Sequence, residues 1–361
     1  MKKRLLAVVM SLVLAMGLVA CGSKETPVSG DISLEDLQAQ IDELKAENEE
    51  LKAQLGEKEE QAKVVEETWT DDTIIAFTNA EMVDAVRQIT GIYDRDITAG
   101  DVKGITKIEY TEGHGLYQTW KGGLEPLKYF TGLVELYANT DSVSLEPIKN
   151  LTNLRVLSLG GANITDISAL DKLTNLRELS IGGENVTDIS VLANLTNLER
   201  LSISGENIDN ISAISKLVNL QYLSIDFGYG ITDIGNLDSL TNLKEMRLMS
   251  DNNINLSGID GAVNLEYVEI KCNEITGIEE LANLTNLCDL RVSGDGIRSL
   301  DFISGLNSLE SLSIESPTLN IEESLPYLQK YEEVWRMGEN SISVEGGGAS
   351  PVESETCYRL W

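Results

Sequence analysis

The chain has few of the residues that most often carry chemistry. One histidine and four cysteines occur among 361 residues, and aromatic residues make up only 5%. The single histidine, His114, lies in a glycine-flanked stretch with no nucleophile motif beside it. Neither a Cys/His metal-binding cluster nor a glycine-rich phosphate loop is recognisable. The sequence therefore argues against an enzyme, and it predicts no catalytic residue, no metal site and no cofactor.

Basic residues are scarce as well. The chain carries 28 Lys and Arg against 59 Asp and Glu, a formal net charge of −31. Such a surface repels phosphates, so nucleic acid is excluded as a general partner, whereas a basic or calcium-bridged partner would be steered in. The acidic Thr-Asp-Ile-Ser phrases lack the ligand pattern of a dedicated calcium loop.

The first twenty residues have the form of an export signal. Lys2, Lys3 and Arg4 precede an apolar stretch, Leu5 to Leu18, which is shorter than the roughly 20 residues that a spanning helix needs. The following Leu18-Val19-Ala20-Cys21-Gly22 resembles the lipobox of bacterial lipoproteins. The resemblance implies that residues 1–20 are removed, that Cys21 carries a diacylglyceryl group with acyl chains such as palmitate, and that the protein is held on the extracellular face of the bacterial cell membrane. The alternative is an ordinary signal peptide followed by a chance cysteine.

The remaining cysteines do not indicate a disulfide framework. Cys272, Cys288 and Cys357 are an odd number in an exported chain. Cys272 is expected just past one strand and Cys288 at the start of the next strand. Because these are opposite ends of neighbouring repeats, the two are not expected to pair.

After a polar linker at residues 21–30, residues 31–67 show the heptad spacing of a coiled coil. Seven positions form its seam: Leu34, Leu37, Ile41, Leu44, Asn48, Leu51 and Leu55. An asparagine at one inner position favours a parallel two-stranded register, so the seam predicts a parallel homodimer. The alternative is a single solvated helix that acts as a stalk. Either structure would form a spacer of about 50 Å between membrane and repeats.

The strongest pattern is a repeat. Eight leucines begin near-identical segments at a regular interval of about 22 residues, and one interval is longer by a single residue: Leu154, Leu176, Leu198, Leu220, Leu243, Leu265, Leu287 and Leu309. This period predicts a right-handed α/β solenoid of leucine-rich repeats, with parallel strands on a concave face and short turns or 3-10 segments on the convex face. The repeats are assigned to residues 105–316, between an N-terminal cap at 68–104 and a C-terminal cap at 317–338. Residues 339–361 are predicted to form a flexible tail.

The recurring phrases Leu-Thr-Asn-Leu and Ile-Thr-Asp-Ile-Ser, first at Leu151 to Leu154 and Ile164 to Ser168, resemble the internalin-type leucine-rich repeats of bacterial surface proteins. The resemblance implies a concave face that recognises a protein, with adhesion to a host or neighbouring cell as the expected role. One departure is visible, because the ladder asparagine of the family is replaced at most ninth repeat places, for example by Ala162 and Glu184. The usual side-chain ladder is therefore in doubt.

Outward-facing strand positions predict where a partner binds. They are small in the first repeats, as at Ser158 and Ser180, whereas from Tyr222 onward they include Tyr, Arg and Met, which are enriched at binding hot spots. The additional residue of the one longer repeat is expected to bulge near Gly228-Tyr229-Gly230. The predicted binding patch, called the patch below, consists of Tyr222, Asp226, Phe227, Tyr229, Glu245, Arg247, Met249, Tyr267, Glu269, Lys271, Asp289 and Arg291. Three alternatives remain: a glycan ligand, a patch whose charges only neutralise one another across strands, and an envelope spacer that dimerises through the coiled coil.

Overall fold

A computed structural model describes residues 69–361, except positions 79, 110–122, 162, 184, 229–230, 236, 330, 332–333, 338–340, 345–356 and 360–361. The signal segment, Cys21, the coiled-coil seam, His114 and Tyr229 lie outside the described residues. The expectations for them, and the proposed domain boundaries, therefore stay predictions. Within the described part of the chain, no helix is long and apolar enough to cross a membrane.

Two helices precede the repeats, α1 (Ala80–Thr90) and α2 (Ala99–Val102). The apolar side of α1 is buried through Met82 and Val86, and α2 buries Val102 against the same core. Asp101 accepts hydrogen bonds from the backbone nitrogen and hydroxyl of Thr98, at 2.8 and 2.9 Å, and so fixes the start of α2. These elements cover the apolar end that a stack of repeats would otherwise expose.

The repeats form one parallel sheet with a regular register. Its parallel strands are β1 (Lys107–Glu109), β2 (Glu135–Asn139), β3 (Val156–Gly160), β4 (Glu178–Gly182), β5 (Arg200–Ser204), β6 (Tyr222–Phe227), β7 (Glu245–Ser250), β9 (Tyr267–Thr276), β10 (Asp289–Asp295) and β11 (Ser311–Glu315). A short strand, β8 (Ile254–Asn255), pairs separately with the end of β9. Cys272 therefore lies within β9, and the prediction that it follows the strand is wrong.

The repeated leucines explain the stack. All eight of the segment-opening leucines are buried, from Leu154 at 0% exposed to Leu309 at 5%. In β3 to β5, buried and outward residues alternate, so one face of each strand packs on the core and the other is open. No single repeat can enclose its own leucines, whereas neighbouring repeats enclose them jointly.

Short 3-10 helices form the side opposite the strands. Their ranges are Glu125–Tyr129, Glu146–Ile148, Ser168–Lys172, Ser190–Asn194, Ser212–Lys216, Ile259–Gly261, Ile278–Asn283 and Asp301–Gly305. Each contributes buried apolar residues such as Leu170, Leu192 and Ile214 to the core. The parallel strands and 3-10 segments together are those expected of a leucine-rich-repeat solenoid.

An asparagine ladder does exist, at a different repeat place from the one examined in the sequence. The asparagine that directly precedes a segment-opening leucine donates from Nδ2 to a backbone carbonyl of the preceding repeat, as from Asn197 to Thr174 at 2.8 Å. Seven residues make this bond: Asn153, Asn175, Asn197, Asn219, Asn242, Asn264 and Asn286. One carbonyl group in each turn before these strands is thus satisfied, at a place in the repeat other than the loop that holds the ninth position.

At the C-terminal end, the sheet continues beyond β11 with antiparallel strands. Helix α3 (Ile321–Leu328) begins at Asn320, whose side chain accepts from the backbone nitrogen of Glu323. The chain then forms β12 (Trp335–Met337), β13 (Ser341–Val344) and β14 (Cys357–Arg359), all paired antiparallel in the order β11-β13-β12-β14. The prediction of a flexible tail from residue 339 onward is therefore wrong for β13 and β14, because their backbone groups hydrogen-bond to neighbouring strands.

Candidate functional site

The patch lies on the open face of β6, β7, β9 and β10, and the strand register sorts it into rows. Tyr222, Glu245, Tyr267 and Asp289 are register partners in the first row, and Arg247, Glu269 and Arg291 follow in the second. Asp226, Met249 and Lys271 form the third row. The sequence period alone placed these residues on one surface, and the structure brings them together there.

At the centre of the patch, three residues from adjacent strands bind one another. The guanidinium of Arg247 approaches Glu269 with 3.4 Å between Nη1 and Oε2, and the Tyr267 hydroxyl donates to the same carboxylate at 2.8 Å. Burial, followed by this hydrogen bond to Glu269, raises the pKa of Tyr267 to about 12. The Nε atom of Arg247 is buried without a hydrogen-bond partner among the described residues, while its Nη1 atom carries the contact to Glu269.

The Tyr267 ring is flanked by two cations. The guanidinium carbon of Arg247 is 4.9 Å from the ring centre, and that of Arg291 is 5.8 Å from it. Arg291 also binds Asp289, with 3.2 Å from Nε to Oδ1 and 3.1 Å from Nη2 to Oδ2. Arg247 and Glu269 thus pair across adjacent strands, as in the alternative in which charges neutralise one another, whereas Arg291 pairs with Asp289 within β10. The five residues Arg247, Tyr267, Glu269, Asp289 and Arg291 are called the network below.

Arg200 was not part of the predicted patch, which begins at Tyr222. Its guanidinium carbon lies 4.2 Å from the centre of the Tyr222 ring, on the strand next to it. The repeat period could have indicated this contact, because Arg200 precedes Tyr222 by one whole repeat and therefore lies beside it in the same row. The patch thus extends onto β5.

Other patch residues are not committed to the network. Asp226 and Lys271 are exposed, Glu245 is half-buried, and none of them has an ion-pair partner among the described residues. Met249 is exposed as well, at 37%. Phe227 ends β6, and its side chain lies outside the described residues. These uncommitted groups are available to a partner without breaking an existing interaction.

A shallow groove of about 420 Å³ adjoins the patch at the ends of β3 to β7. Glycines form its floor and Glu206, Asp226 and Asp251 line its acidic side. The glycines have a packing cause, because a Cβ on Gly161 would lie 2.3 Å from the carbonyl oxygen of Thr140 in the preceding repeat. The groove is therefore a result of close stacking between repeats.

The acidic repeat phrases are structural. In Ile-Thr-Asp-Ile-Ser the aspartate accepts from the serine backbone nitrogen two residues later, as from Ser168 to Asp166 and from Ser190 to Asp188, both at 2.8 Å. The bond from Ser190 lowers the pKa of Asp188. No group of three or more His, Cys, Asp or Glu side chains in the described part of the chain could hold a metal ion.

Comparison with known proteins agrees with this architecture. Residues 133–325 match the family model described as a leucine-rich repeat region, which is more than half of the chain, so the protein belongs to the leucine-rich-repeat family. A search of curated proteins finds no match.

Solved structures of bacterial repeat proteins are similar. Internalin C2 of Listeria monocytogenes shares 28% identity, with a TM-score of 0.52 over 63% of this chain and 99% of the other. A second Listeria internalin shares 23% identity, with a TM-score of 0.43, over 68% of this chain and 85% of the other. A leucine-rich-repeat protein of Leptospira interrogans shares 20% identity, with a TM-score of 0.48, over 57% and 55% of the two chains. The similarity to internalin C2, together with the family match, supports leucine-rich repeats of the internalin type.

Proposed function

We propose that this protein is a cell-surface binding protein that recognises a partner protein through the open face of strands β5 to β10. Membership of the leucine-rich-repeat family and the similarity to internalin C2 support recognition as the general function. Adhesion to a host or neighbouring cell is the role we favour. A lipid on Cys21 would hold the protein at the membrane surface, as the lipobox resemblance implies.

One observation carries the choice of surface. The open face of β3 and β4 presents mainly small side chains such as Ser158 and Ser180, whereas the face from β6 to β10 presents two tyrosines, two arginines and an exposed methionine. Tyr, Arg and Met bury large areas for a modest loss of side-chain entropy. The network also holds Arg247 and Tyr267 in fixed positions, which lowers the entropy cost of binding.

The test is an unbiased pull-down from candidate target cells with the full-length protein. A variant with Ala at Tyr222, Arg247 and Tyr267 should lose its captured partner. A matched control with Ala at Ser158, Glu178 and Ser180, on β3 and β4, should retain it. Equal far-UV circular dichroism of both variants would show that the fold is intact. Retention of the same partner by the Tyr222/Arg247/Tyr267 variant would reject the patch.

The anchor is tested separately. Growth with a radiolabelled fatty acid should label the wild-type protein, and Cys21→Ala should abolish the label. Persistence of the label in Cys21→Ala would exclude Cys21 as the acceptor. The labelling does not depend on the patch, so its outcome is independent of the pull-down.

An envelope spacer is the second candidate, and the heptad seam with its Asn48 favours it. Light scattering of the full-length protein in detergent should give the mass of a dimer, and Asn48→Ile should change the oligomer order. A monomer at high concentration would exclude the spacer as a paired assembly.

A further inference from the structure

The third row of the patch has an ordered pattern of charge. Asp226 on β6, Met249 on β7 and Lys271 on β9 are direct register partners, so an acid, an apolar side chain and a base follow one another across three adjacent strands. All three are exposed. Met249 is also the one exposed large hydrophobic residue that lies in a strand of the described chain.

The second row, on one side of the third row, is occupied by internal interactions. Arg247 pairs with Glu269, and Glu269 also accepts a hydrogen bond from Tyr267. Arg247 and Glu269 stand two positions before Met249 and Lys271 on the same strands. A partner that used these charges would have to break existing bonds, whereas a partner that used the third row would not. The charges of the network are thus paired with one another, whereas the third row holds the two exposed patch charges that have no ion-pair partner among the described residues.

The surface around this row allows a thick element to approach. The row continues to Ser204 on one side and to Ser293 on the other, and both side chains are small. The Ser293 hydroxyl donates to Glu315, the next residue of the row on β11, at 3.1 Å. An α-helix that contacts the three central positions of the row therefore meets only these two serines at the ends of its contact, before Glu315 on β11.

We propose that the open face binds an α-helix of the partner protein, laid across β6, β7 and β9, with a basic residue opposite Asp226, an apolar residue opposite Met249 and an acidic residue opposite Lys271. This proposal rests on the proposed function and specifies its partner. The whole protein carries a net charge of −31, so a partner with a basic residue at this position would also be steered toward the surface.

Spacing selects a helix over an extended segment. Adjacent strands are about 4.8 Å apart, so the outer two positions of the row are about 10 Å apart. Residues i, i+4 and i+7 on one side of a helix repeat at about 5.4 Å per turn, or about 11 Å over two turns. Same-side residues of an extended chain repeat at about 6.8 Å and span about 14 Å over the same three contacts. The helix fits within about 1 Å and the extended chain does not.

The test uses designed probes in place of the unidentified partner. Three fluorescent, alanine-based helical peptides would carry Lys/Leu/Glu, Lys/Leu/Lys or Glu/Leu/Glu at i, i+4 and i+7, and their binding to the full-length protein in detergent would be followed by anisotropy. The wild-type protein should prefer Lys/Leu/Glu. Lys271→Glu should weaken that peptide about tenfold and make Lys/Leu/Lys the preferred probe, and Asp226→Lys should make Glu/Leu/Glu the preferred probe. Met249→Ala should weaken all three.

A matched control separates local recognition from net charge. Lys172→Glu makes the same charge change as Lys271→Glu, at an exposed position in a 3-10 segment on the other side of the repeat. It should leave the preference among the peptides unchanged. Equal effects of the two variants would overturn the proposal, and so would failure of the wild-type protein to bind Lys/Leu/Glu better than an alanine-only helix.

Two outcomes distinguish this proposal from the broader one. If the peptides do not bind while the Tyr222/Arg247/Tyr267 variant still loses its captured partner, the patch stands and the helix is wrong. If Met249→Ala converts a dimer of the full-length protein to a monomer in light scattering, a second copy of the chain occupies the row and the helix proposal fails.

Discussion

The asparagine ladder offers a sharp test of how the repeats hold together. Asn197 donates at 2.8 Å to the carbonyl of Thr174, and Asn197→Ala removes the donor without touching the leucine core. A typical intramolecular hydrogen bond contributes about 0.5–1.5 kcal/mol to stability. Thr174 is exposed, so water can replace the lost donor, and the expected cost is in the lower half of that range, about 0.5–1 kcal/mol.

Several rungs together make the effect easy to measure. Alternate rungs at Asn153, Asn197, Asn242 and Asn286 lie two strands apart, about 10 Å, and sites separated in this way contribute almost additively. A variant with Ala at all four should therefore lose about 2–4 kcal/mol of unfolding free energy. Urea unfolding followed by far-UV circular dichroism should show a lower midpoint with an unchanged slope.

The control is Asn283→Ala, because Asn283 is exposed at the end of a 3-10 segment and its side chain makes no hydrogen bond among the described residues. It should shift the midpoint by less than any ladder substitution. If the fourfold variant is no less stable than Asn283→Ala, the ladder does not contribute to stability, and the core alone holds the repeats in register.

Three further predictions concern the core and its titrating groups. Leu201→Ala, at a fully buried position of β5, should lower the free energy of unfolding in urea by about 2–5 kcal/mol. Substitution of an outward-facing serine of the same strand by Ala should change it little. Equal decreases for the two variants would contradict the burial of Leu201. Asp101→Asn should lower the free energy of unfolding by about 1–2 kcal/mol at neutral pH. Because Arg95 holds the pKa of Asp101 well below its usual range, the difference in unfolding free energy between the variant and the wild type should shrink as the pH falls below about 4. A difference that does not change with pH would refute the ion pair. The pKa of Tyr267 is raised to about 12 by burial and by Glu269, so the free energy of unfolding should fall as the pH rises above about 10. Tyr267→Phe should reduce this fall when urea midpoints are measured against pH. If the midpoints of the variant and the wild type fall equally with pH, Tyr267 titrates normally.

The repeat positions could be predicted because periodicity reports stacking directly. Leucines that recur once in every repeat can be buried only if each repeat covers the next, and Leu154 through Leu309 are buried accordingly. The same reasoning placed Tyr222, Arg247 and Tyr267 on the open face. The register between neighbouring strands thus predicts which side chains share a face, even though each strand is short.

The interactions within the patch could not be predicted in the same way. Whether Arg247 contacts a partner or Glu269 depends on side-chain rotamers, which the repeat period does not encode. The contact between Arg200 and Tyr222 was not predicted because the patch was taken to begin at Tyr222, although strand register places Arg200 directly beside it on β5. The antiparallel strand β13 was missed since its Ser-Ile-Ser-Val segment lies beyond the last repeat, where the period gives no guidance.

The constant length of the early repeats has a genetic consequence. A duplication or loss of one whole unit before Leu220 would leave every strand in phase with its neighbours, so the array can lengthen or shorten by recombination between similar DNA segments without disturbing the core. The single longer interval, Leu220 to Leu243, and the reversed strands after β11 interrupt that phase. The intervals from Leu243 to Leu309 are again 22 residues, so a change of one whole unit keeps the strands in phase on either side of the longer interval.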